Sequence, residues 1–258
     1  MININKLISY GGGVNSTAMI IMLLQQGENY PIVMADTGNE QPETYHYLSY
    51  FSDYLQKRWD TNITIIRPDT HPQYYDKRIA KHTIDSIESY CLKLGVVPFV
   101  CKRWCTKEFK IYPIQKWGEN KGIFIHLIAF SWDEINRAKN TFNEKYKQEY
   151  PLIGAVIDRK QCEIIIKNEG LEIPKKSSCW FCPYQKISEL KALHKTHPDL
   201  FQRGIDMEEN ASKKEGRKIT IRTDNFALSE MKEGWDQENP LFPELVDYSR
   251  HDCYMCHL

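Results

Sequence analysis

Leu7-Ile8-Ser9-Tyr10-Gly11-Gly12-Gly13-Val14-Asn15-Ser16 is the stretch that decides the fold. Its first four residues read as a short apolar strand. Three consecutive glycines follow, and Thr17-Ala18-Met19-Ile20-Ile21-Met22-Leu23-Leu24 then reads as a helix buried on its apolar sides. Glycine gives up more backbone entropy than any other residue, so a run of three marks conformations or close approaches that a Cβ forbids. Between a strand and a helix, such a loop turns backbone N–H groups and the positive helix end toward an anion. Ser16 adds a hydroxyl donor. The loop has no lysine, and its spacing is neither G-x-x-x-x-G-K-[ST] nor G-x-G-x-x-G, which excludes Walker and Rossmann phosphate loops.

Outward from the loop the same alternation continues. Pro31–Ala35 is a second strand, ending at Asp36-Thr37-Gly38-Asn39-Glu40, and Pro42 opens a Tyr- and Leu-rich helix running to about Leu55. Ile63–Arg67 is a third strand. Ile123–Ala129 is a fourth, too apolar and β-branched for a solvated edge. Strands alternating with helices predict an α/β fold, a mostly parallel sheet with helices on both faces. Ligands in such folds sit beyond the carboxyl ends of the strands, and Gly11, Asp36 and Ser131 all follow strand ends. From about Tyr150 the pattern changes. Helices are expected over Arg159–Lys167 and Ile187–His194, with a cysteine-bearing turn at Ser177–Tyr184 between them. Gly204–Arg222 is polar, carries Lys213, Lys214, Arg217 and Lys218, and reads as a surface loop or a substrate-contacting arm. The expected division is a nucleotide-binding α/β domain over 1–150 and a C-terminal helical, cysteine-bearing region over 151–258 packed on it.

The 258 residues are 41% hydrophobic and 26% charged, with zero formal net charge. That balance supplies a real core and advertises neither nucleic acid nor an anionic membrane as a whole-chain partner. No apolar run reaches the roughly 20 residues a membrane span needs. The first residues run straight into a strand and do not read as a secretory signal, so a cytoplasmic setting is expected. In a reducing compartment, eight cysteines argue for metal, iron–sulfur or thiol chemistry over a disulfide framework.

Ser9-Tyr10-Gly11-Gly12-Gly13-Val14-Asn15-Ser16 resembles the pyrophosphate loop of the ATP pyrophosphatase and phosphoadenylylsulfate (PAPS) reductase superfamily, usually written S-G-G-x-D-S. Gly11 stands for the first Ser and Asn15 for the Asp, while Gly12, Gly13 and Ser16 match. Asp36–Tyr45, Arg103–Lys110, Ser131–Arg137 and Lys176–Pro183 resemble, in order, further segments of the PAPS-reductase-like branch, so the similarity runs from about residue 6 to 200. The resemblance implies an adenine nucleotide alpha hydrolase-like fold. It also implies a nucleotide cradle built from Ser9, Tyr10, Gly11, Gly12, Gly13, Asn15 and Ser16, closed over the adenosine by Asp36, Thr37, Gly38 and Glu40. From the residues themselves, Asp36 and Glu40 at the sheet's ligand edge suit Mg²⁺ or a ribose hydroxyl. Arg103, Lys107, Lys110 and Arg137 suit phosphate or sulfate. Asn15, Asp36, Arg103, Lys110 and Arg137 are the candidate catalytic residues, and Asp133 and Glu134 pair with Arg137 across a helix start.

Cys179-Trp180-Phe181-Cys182-Pro183 is the strongest cysteine signal, two thiols three apart on a stiffened turn. The spacing alone is shared by metal ligands and redox dithiols, and the absence of a preceding central strand favours metal. Cys105, in the resembling segment, is the expected third ligand, and Cys162 or Cys101 the fourth. All-thiolate ligation suits Zn²⁺ or a [4Fe–4S] cluster, and sulfur-transferring relatives imply the cluster. Cys253, Cys256 and His257 form a second possible pair or a swinging tail thiol.

The expected activity is therefore ATP-dependent sulfur transfer or nucleotide modification, with Mg²⁺-assisted adenylylation, pyrophosphate release and cluster-bound sulfur. Its acceptor or donor partner would be nucleic acid or a sulfur-donor protein, and oligomerisation stays open. Two alternatives stand beside it. One is reduction of PAPS or adenylylsulfate (APS) by a tail thiol, the other a nucleotide-sensing or scaffolding subunit without catalysis.

Overall fold

The computed structural model describes residues 5–81, 83–100, 102–138 and 145–237. Five strands, β1 (Lys6–Ser9), β2 (Ile32–Ala35), β3 (Ile63–Ile66), β4 (Ile125–Leu127) and β5 (Lys147–Glu149), form one sheet in the order β3-β2-β1-β4-β5. Every pairing is parallel. The order reverses at β1, so the glycine loop leaves the sheet at its topological switch point, where such folds hold ligands. β5 is a short charged edge strand with no apolar signature, tied to β1 by the Lys6–Glu149 ion pair at 2.6 Å.

Alternation along the strands explains the layers. Ile8, Ile32 and Met34 face a core shared with α1 (Val14–Gln25), α2 (Pro42–Trp59) and α9 (Arg159–Asn168), whereas Leu7, Val33 and Ala35 face Ile114 and Trp117 of α6 (Tyr112–Asn120). Helices thus cover both sheet faces, as the period-2 pattern requires. Sandwiched between sheet and α9, α1 is buried almost all round, which is why its sequence reads apolar on every side. In α2, Tyr47, Phe51 and Tyr54 recur at helical spacing and stack in series, with ring centroids 6.2 and 5.9 Å apart.

The short helices α3 (Lys77–Lys81) and α5 (Trp104–Thr106) and the longer α4 (Ile87–Leu94) lie between β3 and α6, a stretch where the sequence pattern predicts no elements. Ser86 and Ser89 cap α4 reciprocally, and Gly95 ends it at φ +60°. Residues 107–111 form one widened π-helical turn that joins α5 to α6; Pro113, which lacks the N–H that would close on Phe109, follows it. After β4 come α7 (Ile135–Ala138) and, beyond β5, α8 (Pro151–Gly154). The helices α10 (Ile187–Thr196), α11 (Pro198–Glu215) and α12 (Leu228–Asp236) build a second core with residues from 75 to 109, among them Ile87, Cys91, Phe109, Phe201 and Met231.

Helix α11 corrects the expectation of a loop or arm over Gly204–Arg222. Phe201, Gly204, Ile205, Glu208 and Ala211 recur at helical spacing and are buried, Pro198 opens the helix and Gly216 closes it at φ +67°. The charged residues around it masked this stripe. Two of the basic residues make structural contacts: Lys214 donates to the Leu94 carbonyl, and Lys218 pairs with Glu230 at 2.6 Å.

Candidate functional site

The loop's geometry follows from its glycines. Gly12 has φ +74°, and a Cβ there would lie 2.9 Å from Thr44 Cγ2; one on Gly13 would lie 3.0 Å from Ser177 Oγ. At Gly11 a Cβ would meet nothing, so a serine fits that position. Gly13 is the N-cap of helix α1, which has no side-chain cap and no acidic residue in its first turn. The amides of residues 12–16 donate to no protein acceptor among the described residues. A partly uncovered helix N-terminus with unspent donors is an anion cradle. Ser16 Oγ turns back to the Gly13 carbonyl at 3.0 Å and shapes the loop. Ser9 pairs with Val33 in the sheet, and Tyr10 is packed into the core against Phe51, its hydroxyl 3.4 Å from Thr17 Oγ1. Both support the loop from below.

Asn15 joins the loop to the β4 exit. Its amide donates to Ser131 Oγ at 3.0 Å and to Glu134 Oε2 at 2.9 Å, and its carbonyl accepts from Arg159 Nη1 at 3.2 Å. Glu134 also accepts from Ser131 and from Arg137, whose buried guanidinium lies 4.3 Å from the Phe130 ring centroid. Glu134 and Arg159 therefore belong to the site, although neither was among the candidate residues. The ion pair expected between Glu134 and Arg137 is present, but it is one contact of a larger network.

The segment after β2 folds over the neighbouring edge. Asp36, buried, accepts from Tyr45 Oη at 2.7 Å and from the Gly38 amide at 2.9 Å, with Arg67 Nε 3.7 Å away. Gly38, at φ +73°, packs against Ser86. Thr37 is fully buried and donates to Glu40 at 3.2 Å. Glu40 also receives Lys110 Nζ at 2.8 Å, while its second oxygen is buried without a hydrogen-bond partner among the described residues. The widened turn at 107–111 sets Lys110 against Glu40. Burial works against the lysine's charge, yet Glu40 and the thiols of Cys179 and Cys182 outweigh it and raise the lysine's pKa. Asn39 exchanges hydrogen bonds with Glu88, which Arg203 of α11 grips with two nitrogens. The backbone of residues 39–41 pairs with 178–180, so this network ties the β2 loop to the cysteine turn.

Cys179 and Cys182 sit on a tight turn closed by a 3.0 Å bond from the Cys182 amide to the Cys179 carbonyl. Cys105 lies within electrostatic reach of Cys182 and of Cys91. Burial raises Cys105 and Cys179 and brings Cys182 up to about 11, so these thiols are protonated near neutrality. Arg103, with φ +43°, stands 5.5 Å from the Tyr184 ring, and Tyr184 donates to the Val100 carbonyl. Burial, then the neighbouring Arg137, lowers the Arg103 guanidinium. Two arginines thus share one end of the crevice. Cys162 is not with the other thiols. It is fully buried in the first core between α9 and α1, beside Leu152 and Ile166, which corrects its expected place as the fourth ligand. Among the described residues, no three His, Cys, Asp or Glu side chains are placed to hold a metal ion. Cys101, Cys253, Cys256 and His257 lie outside the described residues. No helix among those described is long and apolar enough to cross a membrane.

Comparison with known proteins places this geometry. The family model described as the phosphoadenosine phosphosulfate reductase domain matches residues 5–228. An uncharacterized protein of Methanocaldococcus jannaschii is 19% identical over 214 residues, 77% of this chain and 46% of the relative. Phosphoadenosine 5'-phosphosulfate reductases of Alteromonas mediterranea and Cronobacter sakazakii are 24% and 26% identical, covering 47% and 56% of this chain and 59% and 63% of theirs. The chain thus spans less than two thirds of the length of each of these relatives.

Proposed function

Because the chain belongs to the phosphoadenosine phosphosulfate reductase domain family, we propose that it binds an adenine sulfonucleotide, PAPS or APS, at the loop of residues 11–16 and reduces its sulfo group with cysteine thiols. The observation that carries this reading is the state of the crevice's carboxylates. Asp36 is held by Tyr45, Gly38 and Arg67, Glu40 by Lys110, and Glu134 by Asn15, Ser131 and Arg137. Asn15 itself is neutral. Apart from the second oxygen of Glu40, these carboxylates are engaged by protein groups among the described residues, which makes them a poor site for the Mg²⁺ that adenylylation by ATP calls for, and they suit a substrate whose sulfur–oxygen bond is already activated.

In the proposed reaction a thiolate attacks the sulfo sulfur. The S–O bond to the nucleotide phosphate breaks, its electron pair leaves on the phosphate oxygen, and S-sulfocysteine forms. A second thiol attacks the cysteine sulfur; a disulfide forms, sulfite departs, and the two thiols have supplied two electrons. The loop amides orient the phosphate, while Arg103, Arg137 and Lys110 meet the charge that builds on the leaving oxygen. Nucleophilic thiols need a low pKa, and burial raises those of Cys105, Cys179 and Cys182. Cys256, next to His257 in the sequence, is the proposed nucleophile, with Cys253 as its partner. The test is sulfite release from PAPS and APS in the presence of a dithiol reductant. Sulfite from one of them, lost in Cys256→Ser with nucleotide binding unchanged, supports the reading. Pyrophosphate release from ATP without sulfite from either overturns it in favour of adenylylation, and tight nucleotide binding with neither product favours a sensing subunit.

Sulfur transfer with a [4Fe–4S] cluster is the second reading, favoured by the proximity of Cys105, Cys179 and Cys182. Cys101, four residues before Cys105, is the remaining thiol by sequence. The described residues alone do not fit a cluster or Zn²⁺, so no step is drawn through one. Anaerobically purified protein with about four irons supports this second reading, and one zinc or no metal removes it.

A further inference from the structure

We propose that Glu134 is a positioning residue of the nucleotide loop, holding Asn15 by an amide-to-carboxylate bond that a carboxylate at position 15 would break. This role rests on the loop being a nucleotide site and adds the device that sets it. Asn15 is the second residue of α1, inside the run of unspent amides, and its side chain links the loop to the β4 exit. Its environment is polarised. On one side Glu134 Oε2 accepts at 2.9 Å; on the other Arg159 Nη1 donates at 3.2 Å. An amide gives a donor to the first and an acceptor to the second, which an ionised carboxylate cannot do.

Glu134 is itself constrained. Ser131 donates to it through its hydroxyl at 3.1 Å and its amide at 3.3 Å, and Arg137 pairs with its other oxygen. Arg159 is aligned from behind, its amide donating to Asp133 Oδ1 at 3.2 Å. Among the described residues Glu134 thus reaches the loop through Asn15, and the chemistry required at 15 is dictated by the charge at 134. An aspartate at 15 would keep the Arg159 contact but set two carboxylates in hydrogen-bond contact, which share a site only if one takes up a proton.

Transposing the charge tests this. Binding of adenosine 5'-phosphosulfate is titrated by calorimetry in EDTA for the wild type, Asn15→Asp, Glu134→Gln and the double variant, with thermal melts as the folding control. Asn15→Asp is expected to weaken binding by about tenfold or more, because a bond to a charged group becomes a repulsion. In the double variant the amide brought in by Glu134→Gln donates to the new carboxylate, and affinity returns to within about threefold of wild type. Rescue by a second substitution is a result that general damage to the fold does not produce. If Asn15→Asp does not fold, alanine at 15 and 134, singly and together, gives the same reading. Coupling of about threefold or more supports the pair, and additive losses sink it. The proposal is likewise overturned if Asn15→Asp binds like wild type or the double variant binds no better than Asn15→Asp. A wild type that binds none of APS, PAPS and ATP refutes the nucleotide site itself, a separate outcome.

Discussion

Gly12→Ala, set beside Gly11→Ser, puts the cradle under the sharpest test. The two glycines are adjacent, yet the structure assigns them different loads. Gly12 sits at φ +74°, where an alanine costs about 1–2 kcal/mol of backbone strain. Its new methyl would also lie 2.9 Å from the Cγ2 of the buried Thr44, which must shift within a packed core. Together these predict a loss of about 2–4 kcal/mol and a fall in melting temperature of about 5–15 °C for a chain of this size. Because the displaced backbone carries the unspent amides, nucleotide affinity should fall at least about tenfold, a few well-placed charge-assisted bonds being worth that much. Gly11→Ser meets nothing within 4 Å and should leave stability within about 0.5 kcal/mol of wild type. Differential scanning calorimetry and nucleotide titration read both quantities on the same samples. Adding Thr44→Ser, which removes the offending methyl, should recover the steric part and leave the strain. If Gly12→Ala and Gly11→Ser melt and bind alike, the positive-φ cradle is the wrong account of this loop.

Two further perturbations probe the surroundings. Lys110→Met leaves Glu40 buried without its cation and should cost about 3–5 kcal/mol in urea denaturation, much of it recovered in Lys110→Met/Glu40→Gln; equal losses in single and double variants would show that the pair does not matter. Burial pulls His126 of β4 down from 6.5 to about 4. The folded state therefore prefers the neutral ring, and its contribution, about 3 kcal/mol, is present above pH 6.5 and lost as pH falls toward 4. Urea midpoints measured across that window should drop in the wild type and flatten in His126→Leu, and an unchanged drop in the variant would point to other groups.

The parts of this protein that were legible in sequence are the local ones. Gly11–Ser16 announces a strand-to-helix anion loop because glycine's conformational demand is carried by the residues themselves. Pro31–Ala35 and Ile123–Ala129 read as buried strands because both faces of a central strand are covered, and the structure keeps Ile32–Ala35 and Ile125–Leu127 of them. The resemblance through Arg103–Lys110 and Lys176–Pro183 agrees with the family match over 5–228. Where a signal was diluted by surface charge, it was missed. The stripe Phe201, Ile205, Glu208 in α11 is interleaved with Gln202, Arg203 and Asp206, and β5 is three residues of which two are charged.

Pairings across the chain were beyond the sequence. Asn15 could be named as a departure from the S-G-G-x-D-S pattern, but not that Glu134, 119 positions later, takes its amide. Lys110 could be named as a cation, but not that a widened turn would place it on Glu40. Cys162 looked equivalent to the other cysteines until the packing of α9 on α1 buried it in a different core. The sequence by itself determined the glycine loop, the parallel sheet and the family, because each rests on short-range periodicity or on consecutive residues. Tertiary structure alone decided which charges are already neutralised and which thiols are neighbours. Those depend on contacts between segments far apart in the chain, and together with the family match they turn the reading from ATP cleavage toward a sulfonucleotide site.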